Sequence, residues 1–416
     1  MKTLGLLHVV IGNRQVGTLN RSGRTLSLTY SADARNDTDA VPLSTRFPLS
    51  VRRHKGTDLE NWLRCILPER PELLAAWRRR LGLTDLSLFT LLTHVGEEVA
   101  GAAQFVRPDR LDEVLSHPGG LTNVDSDQIA DLLRQAQLDI PSYDEQARLG
   151  HFSLAGMQPK IALQRRDEQW WLPAGREPST HILKALSESV PDSDVVEALT
   201  TRIAGRLGLP TARVTLGQFG SQRATVVERF DRRWNADHRH WVRIHQEDMC
   251  QALGLAHKYQ SEGGPAPHEV ADLLRRVSAE PETDVRAFAR LLIFNTLTLG
   301  TDAHARNYSL LLSPSGVRLA PAYDLNSLLA VLAAPRPEIQ LSMSVGRRYH
   351  AAAITQRDWE DCATYLGIPA QWILTERDRQ RDLLVTAFER SMEDQDLRSI
   401  NSPAFDRMRA GLNRAS

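Results

Sequence analysis

The chain has 416 residues, 42% of them hydrophobic and 25% charged, with 51 basic and 51 acidic side chains and a formal net charge of zero. This length allows about two to four domains, the composition is that of a globular protein able to bury a core, and the balanced charge announces no nucleic-acid or membrane partner. The three cysteines, Cys65, Cys250 and Cys362, lie far apart and form no Cys-x-x-Cys pair, which argues against a zinc ribbon or a disulfide framework.

In chain order, the opening MKTLGLLHVVIGNRQVG reads as a strand: its apolar run is short and lacks a small-residue cleavage site. No segment holds the roughly 18 uninterrupted apolar residues of a membrane helix, so no membrane association and a cytoplasmic location are expected. Residues 1–50 read as short strands with turns at Gly12-Asn13 and Ser22-Gly23. Asp58 to Leu81 reads as helical with a break at Pro68, and Leu86 to Val95 and Thr122 to Gln137 as further helices. A boundary is expected within 138–150, where Pro141, Ser142 and Gly150 gather, closing an N-terminal unit of residues 1–145.

Beyond it, FSLAGMQPKIAL (152–163) reads as strand, loop and strand, and STHILKAL (179–186) as a strand. Asp194 to Leu207 has helical apolar spacing, with Gly208 as its cap. ARVTLGQF and ATVVERF read as two more strands, so 146–235 forms a strand-rich unit. From Gln246 the pattern turns helical, with HEVADLLRRV and DVRAFARLLIFNTL amphipathic. Residues 301–328, TDAHARNYSLLLSPSGVRLAPAYDLNSL, read as a loop and a hairpin turning at Pro314-Ser315-Gly316, and 355–416 as helices. The fold class is α+β, with a mainly helical unit over 236–416.

The chemistry concentrates in 301–328. Asp302 follows a helix end, Asn307 comes five positions later, and Asp324 stands at the exit of the hairpin. Phosphoryl transfer from ATP needs one carboxylate to accept a hydroxyl proton, with an amide oxygen and a second carboxylate to hold magnesium on the phosphates. Magnesium prefers oxygen donors, and Asp, Asn and Asp supply them. The Asp302–Asn307 spacing matches the kinase loop H-R-D-x-x-x-x-N, although Gly300-Thr301 replaces its His-Arg and Tyr323-Asp324-Leu325 stands where a kinase has Asp-Phe-Gly. Upstream, Lys184 is a candidate phosphate ligand, Glu197 its partner, and Ala155-Gly156-Met157-Gln158 a turn able to cover phosphates with N–H groups. Val226 to Phe230 would be a hinge strand that hydrogen-bonds adenine through its backbone. Taken singly, Asp302 and Asn307 are ordinary turn residues, Lys184 a solvated lysine, Glu197 a helix-surface charge and Ser153 a strand serine. His304 has two readings, a metal ligand or a hydrogen-bonding turn residue.

The ordered set FSLAGMQPK, THILK, VVERFDR, QEDMCQALG with KYQSEGGP, TDAHARN and APAYD resembles the HipA family of toxin kinases, over about residues 150–330, with a looser match through ILPERPELLAAW and GEEVAGAAQF. The resemblance implies a two-lobed fold like a protein kinase, preceded by a β-rich N-terminal subdomain. It implies a serine/threonine kinase using ATP and Mg2+, with Asp302 as catalytic base and Asn307 and Asp324 on the metal. Lys184 would meet the phosphates, Glu228, Arg229 and Phe230 the adenine, and Ala155, Gly156, Met157, Gln158, Pro159 and Lys160 the nucleotide-covering loop; His304 and Tyr323 would complete the nucleotide site. Ser153 falls at the family's autophosphorylated, inactivating position, where a phosphate adds about −1.5 to −2 charge beside the triphosphate. Pro159 departs from the family pattern, which has an acidic residue there. The resemblance further implies a HipB-like helix-turn-helix antitoxin, operator DNA reached through that antitoxin, and a protein substrate such as an aminoacyl-tRNA synthetase.

Three other readings stay open on the residues: a kinase-like corepressor acting with the antitoxin, a metal-dependent hydrolase built on Asp302, His304 and Asp324, and a small-molecule kinase. Arg377, Arg379 and Arg381 are candidate DNA contacts, but interleaved Asp378 and Gln380 suit a solvated helix face.

Overall fold

Apolar residues on alternate positions give the first strands one buried face. In the computed structural model, which describes residues 5–69, 71–117, 119–138, 158–186, 191–332 and 338–415, β1 (Leu6–Ile11), β2 (Arg14–Ser22), β3 (Thr25–Tyr30), β4 (Arg53–Lys55) and β5 (Ala103–Val106) form an antiparallel sheet in the order β4-β3-β2-β1-β5. Against it lie α1 (Ala32–Asn36), α2 (Thr57–Cys65), α3 (Pro71–Arg80) and α4 (Leu88–Val95). Leu19, Leu28, Trp62 and Phe105 share this core. As expected, the long helical stretch divides near Pro68, since proline cannot donate the helix bond its position requires.

After α5 (Leu111–Ser116) comes a second sheet. It contains β6 (Gly120–Val124), β7 (Lys160–Arg166), β8 (Gln169–Ala174), β9 (His181–Ala185), β10 (Val214–Phe219) and β11 (Gln222–Glu228) in the order β10-β11-β9-β7-β8-β6. Two helices pack on it, α6 (Ser126–Gln137) and α7 (Ser193–Arg206). The boundary expected at 138–150 cuts across this unit. β6 pairs with β8 along its length, and Ile129 and Leu133 of α6 bury against Ile161, Leu163 and Leu183. An amphipathic helix belongs with the surface that covers its apolar stripe, so the second unit starts near residue 120 rather than at 146.

The hairpin β12 (Arg232–Asn235) and β13 (His240–Arg243) leads into β14 (His245–Asp248) and α8 (Met249–Leu253). The helical lobe follows, with α9 (Pro267–Val277), α10 (Pro281–Leu297), α11 (Gln356–Leu366), α12 (Ala370–Met392), α13 (Gln395–Arg398) and α14 (Pro403–Ala415) around a core that includes Phe288, Phe294, Ile373 and Phe388. The expected hairpin is present as β15 (Ser309–Ser313) and β16 (Gly316–Leu319), and β17 (Gln340–Val345) pairs with β18 (Arg348–His350). The region from Gln246 onward is not helical from its start: β14 pairs with β15. The buried side chain of Glu247 accepts hydrogen bonds from Thr45 and from Trp62 Nε1 at 3.0 Å, locking the first sheet unit to the helical lobe.

Candidate active site

The end of α10 sets the first half of the site. The chain reverses through Leu299, at φ 52°, and Gly300, whose N–H reaches Asn295 O at 2.7 Å. A Cβ on Gly300 would stand 2.7 Å from Asn295 Oδ1, and Asn295 is itself buried and bonded to Tyr308. Glycine is therefore needed where the kinase pattern has a larger residue. Asp302 follows with its side chain 60% exposed. Asn307 donates its side-chain N–H to Asp302 O at 2.7 Å, which closes the loop and leaves the amide oxygen as the end available to a cation. Tyr259 donates its phenol O–H to Asp302 Oδ1 at 2.6 Å.

The second half hangs on β9, α7 and the segment after β16. A parallel bridge between Thr211 and Ala322 brings that segment against the strand-rich lobe. Asp324 then adopts φ 56°, a left-handed turn that aims its carboxylate at Lys184. Lys184 Nζ donates to Asp324 Oδ1 and to Glu197 Oε1, each at 2.6 Å. The sequence expectation that Lys184 pairs with Glu197 is met in the geometry. Burial opposes the ionised form of Asp324, but the Lys184 and Lys160 ammonium groups outweigh it and hold its pKa at about 2. Burial likewise opposes charge on Lys184, and the two carboxylates raise its pKa above the ordinary range. Lys160 sits opposite Lys184 across β7 and β9; burial and that second ammonium lower its pKa to about 8.

The other expected site residues divide. Gln158 donates to Ala185 O at 2.8 Å, and Pro159 O accepts from Ala185 N at 3.0 Å, so both continue the sheet beside Lys184. Ser153, Ala155, Gly156 and Met157 lie outside the described residues. The hinge expectation is narrowed to backbone carbonyls at two of its residues. Glu228 N donates to Arg213 O and Arg229 N to Thr180 O, both at 2.9 Å, so neither N–H is free for adenine. The Arg229 side chain is buried among Glu98, Asp231 and Ser179. Glu228 is the last residue of β11, and its carbonyl stays a candidate for adenine. Phe230 is different: its ring lies 5.2 Å from that of Tyr323 in an apolar patch with Ile182 and Val227. Tyr323 donates to Arg306 O at 2.6 Å, tying the Asp324 segment to the Asp302 loop. His304 is buried, its ring edge-on to Tyr259, and its Nδ1 has no hydrogen-bond partner among the described residues. Burial lowers its pKa, against the pull of the Asp302 carboxylate.

Arg379 pairs with Glu376, and Arg377 and Arg381 with Asp378; Glu376 and Gln380 are buried, so this face is half-covered rather than the solvated one expected. Among the described residues no group of three or more His, Cys, Asp or Glu side chains converges to hold a metal. An amide oxygen on Asn307 and a carboxylate on Asp324 instead suit magnesium, which keeps most of its shell for water and phosphate oxygens.

Two family models match the chain, the HipA-like C-terminal domain over residues 152–393 and the HipA N-terminal domain over residues 7–106. The chain belongs to the HipA family. A Sinorhizobium fredii protein named "Putative kinase Y4mE" is 32% identical over 410 residues, covering 94% of this chain and 93% of its own. The serine/threonine-protein kinase toxin HipA of Shewanella oneidensis is 29% identical over 399 residues, covering 91% and 87%. A solved structure of the Shewanella oneidensis MR-1 toxin–antitoxin complex of HipA, HipB and operator DNA superposes with a TM-score of 0.81 at 25% identity, covering 98% and 97%. The HipA fold is thus this chain's fold: α+β and two-lobed like a protein kinase, with a β-rich N-terminal subdomain. Among the described residues no helix is long and apolar enough to cross a membrane.

Sequence reasoning passed over Tyr259, Glu69 and Glu98. All three lay within quoted segments, KYQSEGGP, ILPERPELLAAW and GEEVAGAAQF, but the partners of Glu69 and Glu98 lie far along the chain, so their roles had no local pattern.

Proposed function

We propose that this HipA-family protein is a serine/threonine protein kinase that transfers the γ-phosphate of ATP to a protein hydroxyl. One observation carries the reading: a buried lysine bridges a helix carboxylate and the loop carboxylate Asp324, while Asp302 and Asn307 sit on one closed loop tied to that segment through Tyr323. Lys184 would hold the phosphates, as a point charge kept in place by Glu197. Asp302, with its side chain 60% exposed, would orient the attacking hydroxyl and accept its proton. Phe230 and Tyr323 would offer adenine an apolar wall. Magnesium, held by Asn307 and Asp324, would neutralise charge on the phosphates. The Shewanella complex supports a HipB-like antitoxin, with operator DNA, as the partner. A phosphoseryl switch at Ser153 and an aminoacyl-tRNA synthetase as substrate complete the proposal.

The test is transfer of radiolabel from γ-labelled ATP to the chain itself or to casein. Label should appear with magnesium and vanish with a chelator. A protein that binds ATP, yet labels neither acceptor in magnesium, would overturn the kinase reading.

A further inference from the structure

Asp302 is exposed and reached by few groups, yet a catalytic carboxylate must present one oxygen in a fixed direction. The group that does this is Tyr259, whose phenol donates to Asp302 Oδ1 at 2.6 Å. Tyr259 is itself held on every side. Its carbonyl accepts from Glu262 N at 3.0 Å and Gly264 N at 2.9 Å. Its ring takes the Lys258 ammonium at 5.5 Å and the edge of His304 at 5.2 Å. Burial, and then the Asp302 carboxylate, keep the phenol protonated and so a donor.

The residue before it is anchored from outside the lobe. Lys258 Nζ pairs with Glu69 Oε2 at 3.0 Å, and the other oxygen of Glu69 takes Arg306 of the Asp302–Asn307 loop. Ala305 N also donates to Lys258 O at 3.1 Å. Glu69 lies between α2 and α3, in the N-terminal subdomain. One carboxylate of that subdomain therefore clamps together the Tyr259 segment and the catalytic loop.

We propose that Tyr259 is the positioning residue of the catalytic base, and that the N-terminal subdomain sets it through Glu69. The phenol occupies Oδ1 and directs Oδ2 of Asp302 to the substrate hydroxyl. The proposal rests on the kinase reading and assigns the N-terminal subdomain a part in the chemistry beyond packing.

The experiment measures transfer from MgATP to casein by the full chain. Tyr259→Phe keeps the ring and removes one hydrogen bond. It should lower kcat about tenfold, since small displacements of a reacting group are costly in rate, and leave the KM for ATP and the melting temperature at parental values. Glu69→Gln should lower kcat in the same direction, and should add nothing in the Tyr259→Phe background, as two changes on one route do not add. A parental kcat in Tyr259→Phe, or a loss confined to the KM for ATP, would overturn the positioning role. Fully additive losses would overturn the route from Glu69. Asp302→Ala is the control: parental activity there would sink the kinase reading itself, a different result from failure at Tyr259.

Discussion

Asp302→Ala should slow phosphoryl transfer by about 10²–10⁴, the usual contribution of a positioned general base. The substitution removes the acceptor for the substrate hydroxyl while leaving the phosphate site in place, because the Lys184–Glu197–Asp324 cluster has its own bonds. ATP affinity, measured by calorimetry, should therefore change little while kcat collapses. The side chain is 60% exposed, so folding should survive the change. Asp302→Asn would keep an acceptor for Tyr259 but not a base, and should lose nearly as much. A residual rate within tenfold of the parent would mean that the proton goes elsewhere.

The second large effect lies outside the cleft. Glu98 of the N-terminal subdomain accepts hydrogen bonds from Arg243 at 2.5 Å, Ser179 at 2.8 Å, Arg232 at 3.2 Å and Arg229 at 3.3 Å. The only other carboxylate described among these three arginines is Asp231, which pairs with Arg229 and Arg232. Glu98→Ala would leave buried guanidinium groups short of a counter-charge. Breaking a buried pair from one side costs about 3–5 kcal/mol, and chemical denaturation should show a loss of that order. Acid should reach the same network. Burial opposes the ionised form of Glu98, but the arginines outweigh it and hold its pKa at about 2, below the ordinary 4.5. A carboxylate depressed on folding stabilises fully above its unfolded value and progressively less below it. Stability should then fall as the pH drops from about 4.5 towards 2, and in Glu98→Ala this part of the acid dependence should be missing. An unchanged acid profile in the variant would place the acid-sensitive group elsewhere.

The parts of the site that could be read in the sequence are those whose local pattern carries them. Lys184 sits in a plain strand, Glu197 on a helix, and Asp302, Asn307 and Asp324 at turns around a hairpin; each was singled out by type and spacing. The structure joins Lys184, Glu197 and Asp324 directly and keeps Asp302 with Asn307. Which backbone groups the hinge segment leaves free was not legible, because a strand's last N–H groups look the same in sequence whether or not a neighbour claims them. Glu98 stood in the quoted GEEVAGAAQF, yet its role had no local pattern: its arginines lie 131 to 145 residues away. β14 was missed because its polar residues, Glu247 among them, are buried by partners from the first unit. β6 escaped for the opposite reason. Its residues are mostly exposed, so no alternation marks it.

That modest strand decides how the protein can be divided. β8 brings Trp170, Trp171 and Leu172 to the rim of its sheet, and β6 satisfies the backbone of that rim. A fragment beginning near residue 146 would strip this cover away and present a naked row of N–H and C=O groups flanked by aromatic rings, a template for self-association. A fragment beginning near residue 118 would keep the rim sealed. Both fragments lack Glu98 and its unit, so light scattering should find the shorter one associating more than the longer.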